Sequence, residues 1–220
     1  MTHGIAIHPR VEPHADGIRA LQGLATSVIS DVTGRLLGTV GLLPVNRSPV
    51  AVCGNAFTVK VRAGDNLLIH KALDMLRPGD VLVVDGEGDV SRALVGEIMM
   101  RHGRAKGAVG FVIDGAVRDV DAFEEQGFPC WARGVNLRGP MKDGPGIVNA
   151  PICVGGMVVN PGDVIVGDSD GLVAIAPADA LRIAGLAREK AAAEAKTIAE
   201  IESGAYSSAW VDAALKQKGV

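Results

Sequence analysis

At 220 residues, 48% hydrophobic and 21% charged, the chain can build one substantial apolar core and is too apolar to be disordered. A net charge of −3 with seven aromatic residues leaves no surface of the kind that binds nucleic acid, although contact with an RNA-processing protein needs no basic patch. No apolar run reaches about 18 residues, and residues 1–13 lack the apolar stretch of a signal peptide, so a soluble cytoplasmic protein without membrane contact is expected.

Along the chain, Leu21, Leu24, Val28, Ile29 and Val32 fall at helical spacing and predict one or two helices over 17–37. From about 50 to 176 the texture changes to short Val/Ile-rich runs broken by Gly, Pro and Asp, at 56–61, 81–84, 108–113, 152–154, 157–159, 164–166 and 172–176. So many short strands with few helical stretches between them predict stacked sheets with helices on one side. Residues 78–85 and 161–168 both open on Pro-Gly-Asp. Proline fixes φ and glycine accepts a positive φ, which makes each a type II turn launching a buried strand. Two copies are too few for a solenoid and read as shared turn chemistry. Residues 178–203 are rich in Ala, Glu, Lys and Arg and stop at Gly204. Their thin apolar stripe of Leu181, Ala184, Ile198 and Ile201 predicts a helix lying across a surface or a neighbouring subunit. The tail from 205 holds Tyr206, Trp210, Val211 and Leu215, enough apolar surface to dock.

The chemistry concentrates at 110–119. An apolar run reads as a buried strand ended by a turn at Asp114-Gly115, after which Arg118 and Asp119 stand side by side. Open α/β folds place ligands at strand ends, and this pair suits a small anion on the guanidinium and a divalent cation on the carboxylate. Twenty residues separate Glu97 from Arg118, which fits a helix over 97–104 followed by the strand and would bring Glu97 beside the pair. A helix starting at Gly96 leaves the amides of Ile98 and Met99 free for a carboxylate, whereas a longer helix capped by Ser91 buries them; spacing alone leaves both open. In plainer terms Glu97 complements a helix dipole, and Arg118-Asp119 is a surface pair worth under about 1 kcal/mol. Convergence of three charged groups on apolar surroundings favours a site.

Other candidates are weaker. His70 is expected to be structural, and His3, His8 and His14 solvated. Asp168-Ser169-Asp170-Gly171 resembles a calcium loop without its closing Glu, and with Gly167 it matches Gly-x-Ser-x-Gly without the following helix, so a hairpin turn is expected. Gly86-Glu87-Gly88 lacks the rest of a dinucleotide fingerprint, and no lysine stands in a Schiff-base context. Cys53, Cys130 and Cys153 lack Cys-x-x-Cys spacing and are expected to pack inertly in the core.

Ser30-Asp31-Val32, Gly64-Asp65-Asn66-Leu67, Pro78-Gly79-Asp80, Gly96-Glu97, Asp114 through Asp119, Gly127-Phe128-Pro129, Gly155-Gly156 and Pro161 through Gly171 occur in this order. With these blocks the chain resembles the family of 4-hydroxy-4-methyl-2-oxoglutarate / 4-carboxy-4-hydroxy-2-oxoadipate aldolases and the regulator of ribonuclease activity A, from about 25 to 177. The resemblance implies an α/β fold: a swivelling β/β/α layered sandwich with an N-terminal helical segment and a long C-terminal helix. Residues 1–177 would form one catalytic domain and 178–220 a helical extension packed on a homotrimer or dimer of trimers.

The resemblance further implies a lyase of aromatic-compound degradation that releases pyruvate from an oxo-acid substrate, with oxaloacetate decarboxylation as a side activity. In it Asp119 anchors hydrated Mg²⁺ or Mn²⁺, Gly96, Ile98 and Met99 receive the substrate carboxylate, Arg118 steadies the enolate oxygen and Glu97 handles a proton through water. Glu194 of a neighbouring subunit, with Glu200 as rival, would set the metal's waters, and Gly96 becomes the helix start. The alternative is a non-catalytic regulator of a ribonuclease; such relatives are shorter and commonly lack the acidic site residue. Met99-Met100, where leucines are commoner, and the sequence after Gly204 depart from the family pattern.

Overall fold

The computed structural model describes residues 4–48 and 50–219. Strand β1 (Ile5–Ile7) leads to helices α1 (Ala15–Leu21) and α2 (Thr26–Val32), the pair expected over 17–37. Then come β2 (Leu43–Pro44), β3 (Val52–Val61), α3 (Leu67–Met75), β4 (Asp80–Asp85), β5 (Ala93–Val95), α4 (Glu97–Ala105), β6 (Gly110–Val117), α5 (Val120–Glu125) and β7 (Cys130–Val135). Strands β8 (Gly146–Val148), β9 (Ile152–Val154), β10 (Met157–Val159), β11 (Val164–Asp168) and β12 (Gly171–Ile175) precede α6 (Ala180–Glu202) and α7 (Ala209–Gln217).

Strands β3, β4, β6 and β7 pair in parallel at the centre of the large sheet, and the connections between them carry α3, α4 and α5. Period-two alternation divides each central strand between two cores. Leu82 and Val84 of β4 and Phe111 and Ile113 of β6 face the helices. Val81, Val83 and Val112 face the β9–β10 hairpin and β12. Both faces are therefore covered, which is why these strands read as unbroken apolar runs. A third core joins α1, α2 and the first half of α6 to β11 and β12. The result is the β/β/α layering that the resemblance implied.

The two Pro-Gly-Asp turns form as their chemistry requires. Gly79 and Gly162 take φ +88° and +90°, and the amides of Asp80 and Asp163 close each turn on the carbonyls of Arg77 and Asn160. In each, the aspartate Oδ2 also accepts the amide three residues back, at 2.8 Å. The Gly167–Gly171 segment is the expected hairpin turn, since Asp168 pairs with Gly171. Asp168 also accepts from Thr26 N and Thr26 Oγ1, capping α2 from a distance.

One boundary differs from expectation. Strand β6 does not end at Asp114-Gly115 but runs on to Val117, because β5 and β7 pair with its last residues. The register on β7 shifts between Ile113 and Ala116, so Asp114-Gly115 is a bulge within the strand. A Cβ on Gly115 would stand 2.8 Å from Leu94 Cδ1, so that close approach needs glycine.

Candidate active site

Strand β6 ends at Val117, and Asn136 N and Arg118 N bond back to Val117 O and Val95 O, which fixes the direction in which Arg118 and Asp119 leave the sheet. Asp119 precedes α5 in the left-handed region, φ +56° and ψ +40°, an uncommon conformation for a residue other than glycine. Gly96 precedes α4, so the helix starts where the resemblance required and Ser91 does not extend it. Asp119 Oδ2 accepts Glu97 N at 3.0 Å and stands 3.6 Å from Arg118 Nε, while Oδ1 accepts no hydrogen bond among the described residues. Neither Ile98 N nor Met99 N has an acceptor among the described residues.

A cleft of about 170 Å³ opens between these groups, lined by Gly96, Ile98, Met99, Arg118 and Asp119 together with Asn66, His70 and Lys142. Asp119 is the carboxylate among its lining residues. Among the described residues no three His, Cys, Asp or Glu side chains converge as a metal cage. One open carboxylate oxygen beside a water-accessible cleft fits a hydrated magnesium-like cation, which keeps most of its waters, better than a dehydrated metal.

Glu97 is brought to the pair by its main chain, but its carboxylate turns away to Arg101 Nε at 2.8 Å, one helical turn on, and does not line the cleft. The residue thus stands beside the pair as its spacing predicted, through its amide on Asp119, while its carboxylate takes the i,i+4 partner. Glu194 and Glu200 lie on α6 and line no part of this chain's cleft. Glu194 pairs with Lys190 at 3.0 Å, and Lys190 also reaches Asp31 at 3.6 Å, so both carboxylates share one ammonium whose pKa the Glu194 bond raises.

His70, expected to be structural, lines the cleft, and burial first, then Lys142 and His102, lower its pKa. Asn66 and Lys142 line the cleft without belonging to a chemical motif. Asn66 lies in the Gly64–Leu67 block that carries the resemblance, a usable signal, whereas no local pattern marks Lys142. His14 is not simply solvated, since its Nδ1 accepts Gly17 N and caps α1; His3 lies outside the described residues. Cys130 is buried, and burial pushes the thiol of Cys53 up to about 11, so both are inert. Cys153 corrects the expectation: it is exposed, on the outward side of a strand whose neighbours Ile152 and Val154 point in.

The family described as RraA-like, Aldolase/RraA, matches residues 26–174. A Halalkalibacterium halodurans protein named "Putative 4-hydroxy-4-methyl-2-oxoglutarate aldolase" is 40% identical over 161 residues, 73% of this chain and 76% of its own. A crystal structure of an uncharacterized protein from Pseudomonas syringae pv. tomato superposes with a TM-score of 0.79 at 26% identity, over 90% of this chain and 92% of that one. The RNA-processing inhibitor RraA from Thermus thermophilis superposes with a TM-score of 0.63 at 30% identity, over 69% of this chain and 92% of that one.

Proposed function

The chain belongs to the RraA-like Aldolase/RraA family, and from that premise we propose that it is a divalent-metal-dependent aldolase. It cleaves a 4-hydroxy-2-oxo di- or tricarboxylic acid to pyruvate and a second oxo acid, and decarboxylates oxaloacetate on the side. The observation that carries this reading is the meeting, at one small cleft, of two free helix-start amides, a guanidinium and a carboxylate with an open oxygen.

The amides of Ile98 and Met99 hold the C1 carboxylate. As the C3–C4 bond breaks, its electron pair moves toward C2 and negative charge gathers on the C2 oxygen, where Arg118 faces it. The proton leaves the C4 hydroxyl and another is delivered to C3; Glu97, whose carboxylate sits on Arg101 outside the cleft lining, is assigned to that traffic through an intervening water. A divalent cation, Mg²⁺ or Mn²⁺, held by Asp119 supplies positive charge beside the developing oxyanion when bound. In a trimer or dimer of trimers, Glu194 of the neighbouring subunit would complete the site.

Pyruvate release from such acids, coupled to lactate dehydrogenase, tests this. EDTA should abolish it and Mg²⁺ or Mn²⁺ restore it. Asp119→Asn keeps an acceptor for Glu97 N and tolerates the left-handed backbone, so it should fold and lose activity by about a hundredfold or more. Wild-type turnover by Asp119→Asn would overturn the metal assignment. The 30% identity across nearly all of the Thermus inhibitor supports a second reading, a ribonuclease regulator. Tight ribonuclease binding with no lyase activity on any oxo acid would put that reading first.

A further inference from the structure

Strand β6 is interrupted on both of its sides just before it delivers Arg118 and Asp119. On one side its partner changes. Asp114 is the last residue paired with β4, opposite Asp85, and Ala116 is the first paired with β5, opposite Ala93. On the other side the register slips, so that Asp114 and Gly115 together oppose the single residue Arg133 of β7. A bulge bends its strand and adds twist, so the residues at 114–115 aim everything that follows.

Asp114 is fastened there through both its side chain and its main chain. Its buried carboxylate accepts the Arg133 guanidinium, through Nε and, at 3.4 Å, through Nη2. It also accepts Gly155 N, from the turn between β9 and β10, at 2.8 Å. Its carbonyl accepts Gly86 N and Gly88 N, from the connection between β4 and β5, both at 3.1 Å. Arg133 is confined in turn: a Cβ on Gly41 or on Gly88 would stand 2.7 or 3.0 Å from its guanidinium. The neighbouring carboxylate of Asp85 is already matched by Lys60 Nζ at 2.9 Å and Glu87 N at 3.0 Å, so it is no rival for the arginine. A planar guanidinium giving two N–H groups to one carboxylate fixes direction as well as distance.

We propose that Arg133, acting through Asp114, is a positioning residue for the Arg118-Asp119 pair. It sets the bend at the bulge, and with it the direction in which that guanidinium and carboxylate enter the cleft, although Arg133 itself does not line the cleft. This rests on the reading of the pair as the reacting end of the site. The amides of Ile98 and Met99 belong to α4, so loss of the clamp should spare the hold on the C1 carboxylate and impair the steps that Arg118 and Asp119 serve.

Hydrogen exchange read by mass spectrometry, with the kinetics of pyruvate release alongside, tests this. In Arg133→Met the amides at 116–118, among them Arg118 N on Val95 O, should exchange about tenfold or more faster than in the wild type, with β3 and β11 unchanged. kcat should fall about tenfold or more while KM stays within about twofold, the pattern of a group that acts in the transition state. Arg133→Lys keeps the charge without the fork and should lie between the two. Arg133→Met combined with Asp114→Asn leaves no buried charge unmatched and carries the same test if the single variant does not fold. Wild-type exchange at 116–118, faster exchange spread evenly over the sheet, or an unchanged kcat despite faster local exchange overturns the assignment. A wild type that releases no pyruvate from any oxo acid sinks the aldolase reading, and the exchange comparison then decides this one by itself.

Discussion

Gly96 shows how little room the site leaves for a side chain. Its backbone, φ −151° and ψ −165°, is open to any residue, so the requirement for glycine is steric. A Cβ there would stand 2.4 Å from Asp119 Oδ2 and 2.9 Å from Arg118 Cγ. Gly96→Ala should therefore fold with nearly the wild-type melting temperature while kcat/KM falls about a hundredfold, the usual scale for an ångström of misplacement. Circular dichroism with the pyruvate assay reads both, and wild-type kcat/KM would remove Gly96 from the site. The sequence offered the glycine as one of two helix starts and its spacing placed that start near the pair, but the contact of Gly96 with the Asp119 carboxylate itself is created by β6 running beside β5.

At the scale of elements, the two Pro-Gly-Asp turns share one chemistry and differ in their neighbours. Asp80 is fully buried and bidentate with Arg10, which the N-terminal segment delivers, and Asn55 Nδ2 adds a third bond. Arg10→Met leaves that carboxylate without its counter-charge and should cost about 3–5 kcal/mol in urea unfolding; a loss under about 1 kcal/mol would mean that the turn does not need the arginine. Among the described residues Asp163 meets no cation, only Asn160, and burial raises its pKa. The folded state thus holds its proton to higher pH than the unfolded state, and stability falls as pH rises through the window above the ordinary aspartate value. Asp163→Asn should raise the melting temperature at pH 7, with a gain that shrinks on acidification toward that value; a gain independent of pH would rule out the carboxylate as its origin. The echo in the sequence identified the turns and their strands, and it could not tell which aspartate would meet an arginine from 70 residues away.

The chain as a whole leaves much of its surface uncovered. It exposes 11177 Å², whereas a compact monomer of 22.7 kDa would expose about 9500 Å². Leu36, Val40, Leu43, Ile98 and Leu137 stay exposed, as do Ile198, Ile201, Trp210 and Leu215 on the outer part of α6 and on α7. Glu194 on the same helix lies away from its own chain's cleft. The proposed sharing of the site between subunits makes a sharp prediction. Asp119→Ala and Glu194→Ala should each be inactive alone, yet mixed and reassembled chains should recover up to about a quarter of wild-type activity, because some sites then draw both intact residues from different subunits. No recovery in assemblies verified as mixed by mass would return Glu194 to a surface role.

The sequence by itself determined the layered α/β class, the central strands, both Pro-Gly-Asp turns and the Arg118-Asp119 pair, and offered two starts for α4 between which the structure chose Gly96. Each of the determined features depends on local physics: runs and periodicity of apolar residues, the φ preferences of proline and glycine, and charged residues following a strand. Tertiary structure alone decided that β6 runs through Asp114-Gly115, that the Glu97 carboxylate goes to Arg101, that Cys153 faces outward, and that Asn66, His70 and Lys142 close the cleft. These depend on which strands pair and which distant loops are latched together. Such contacts join residues far apart in the chain, and no window of sequence contains both partners.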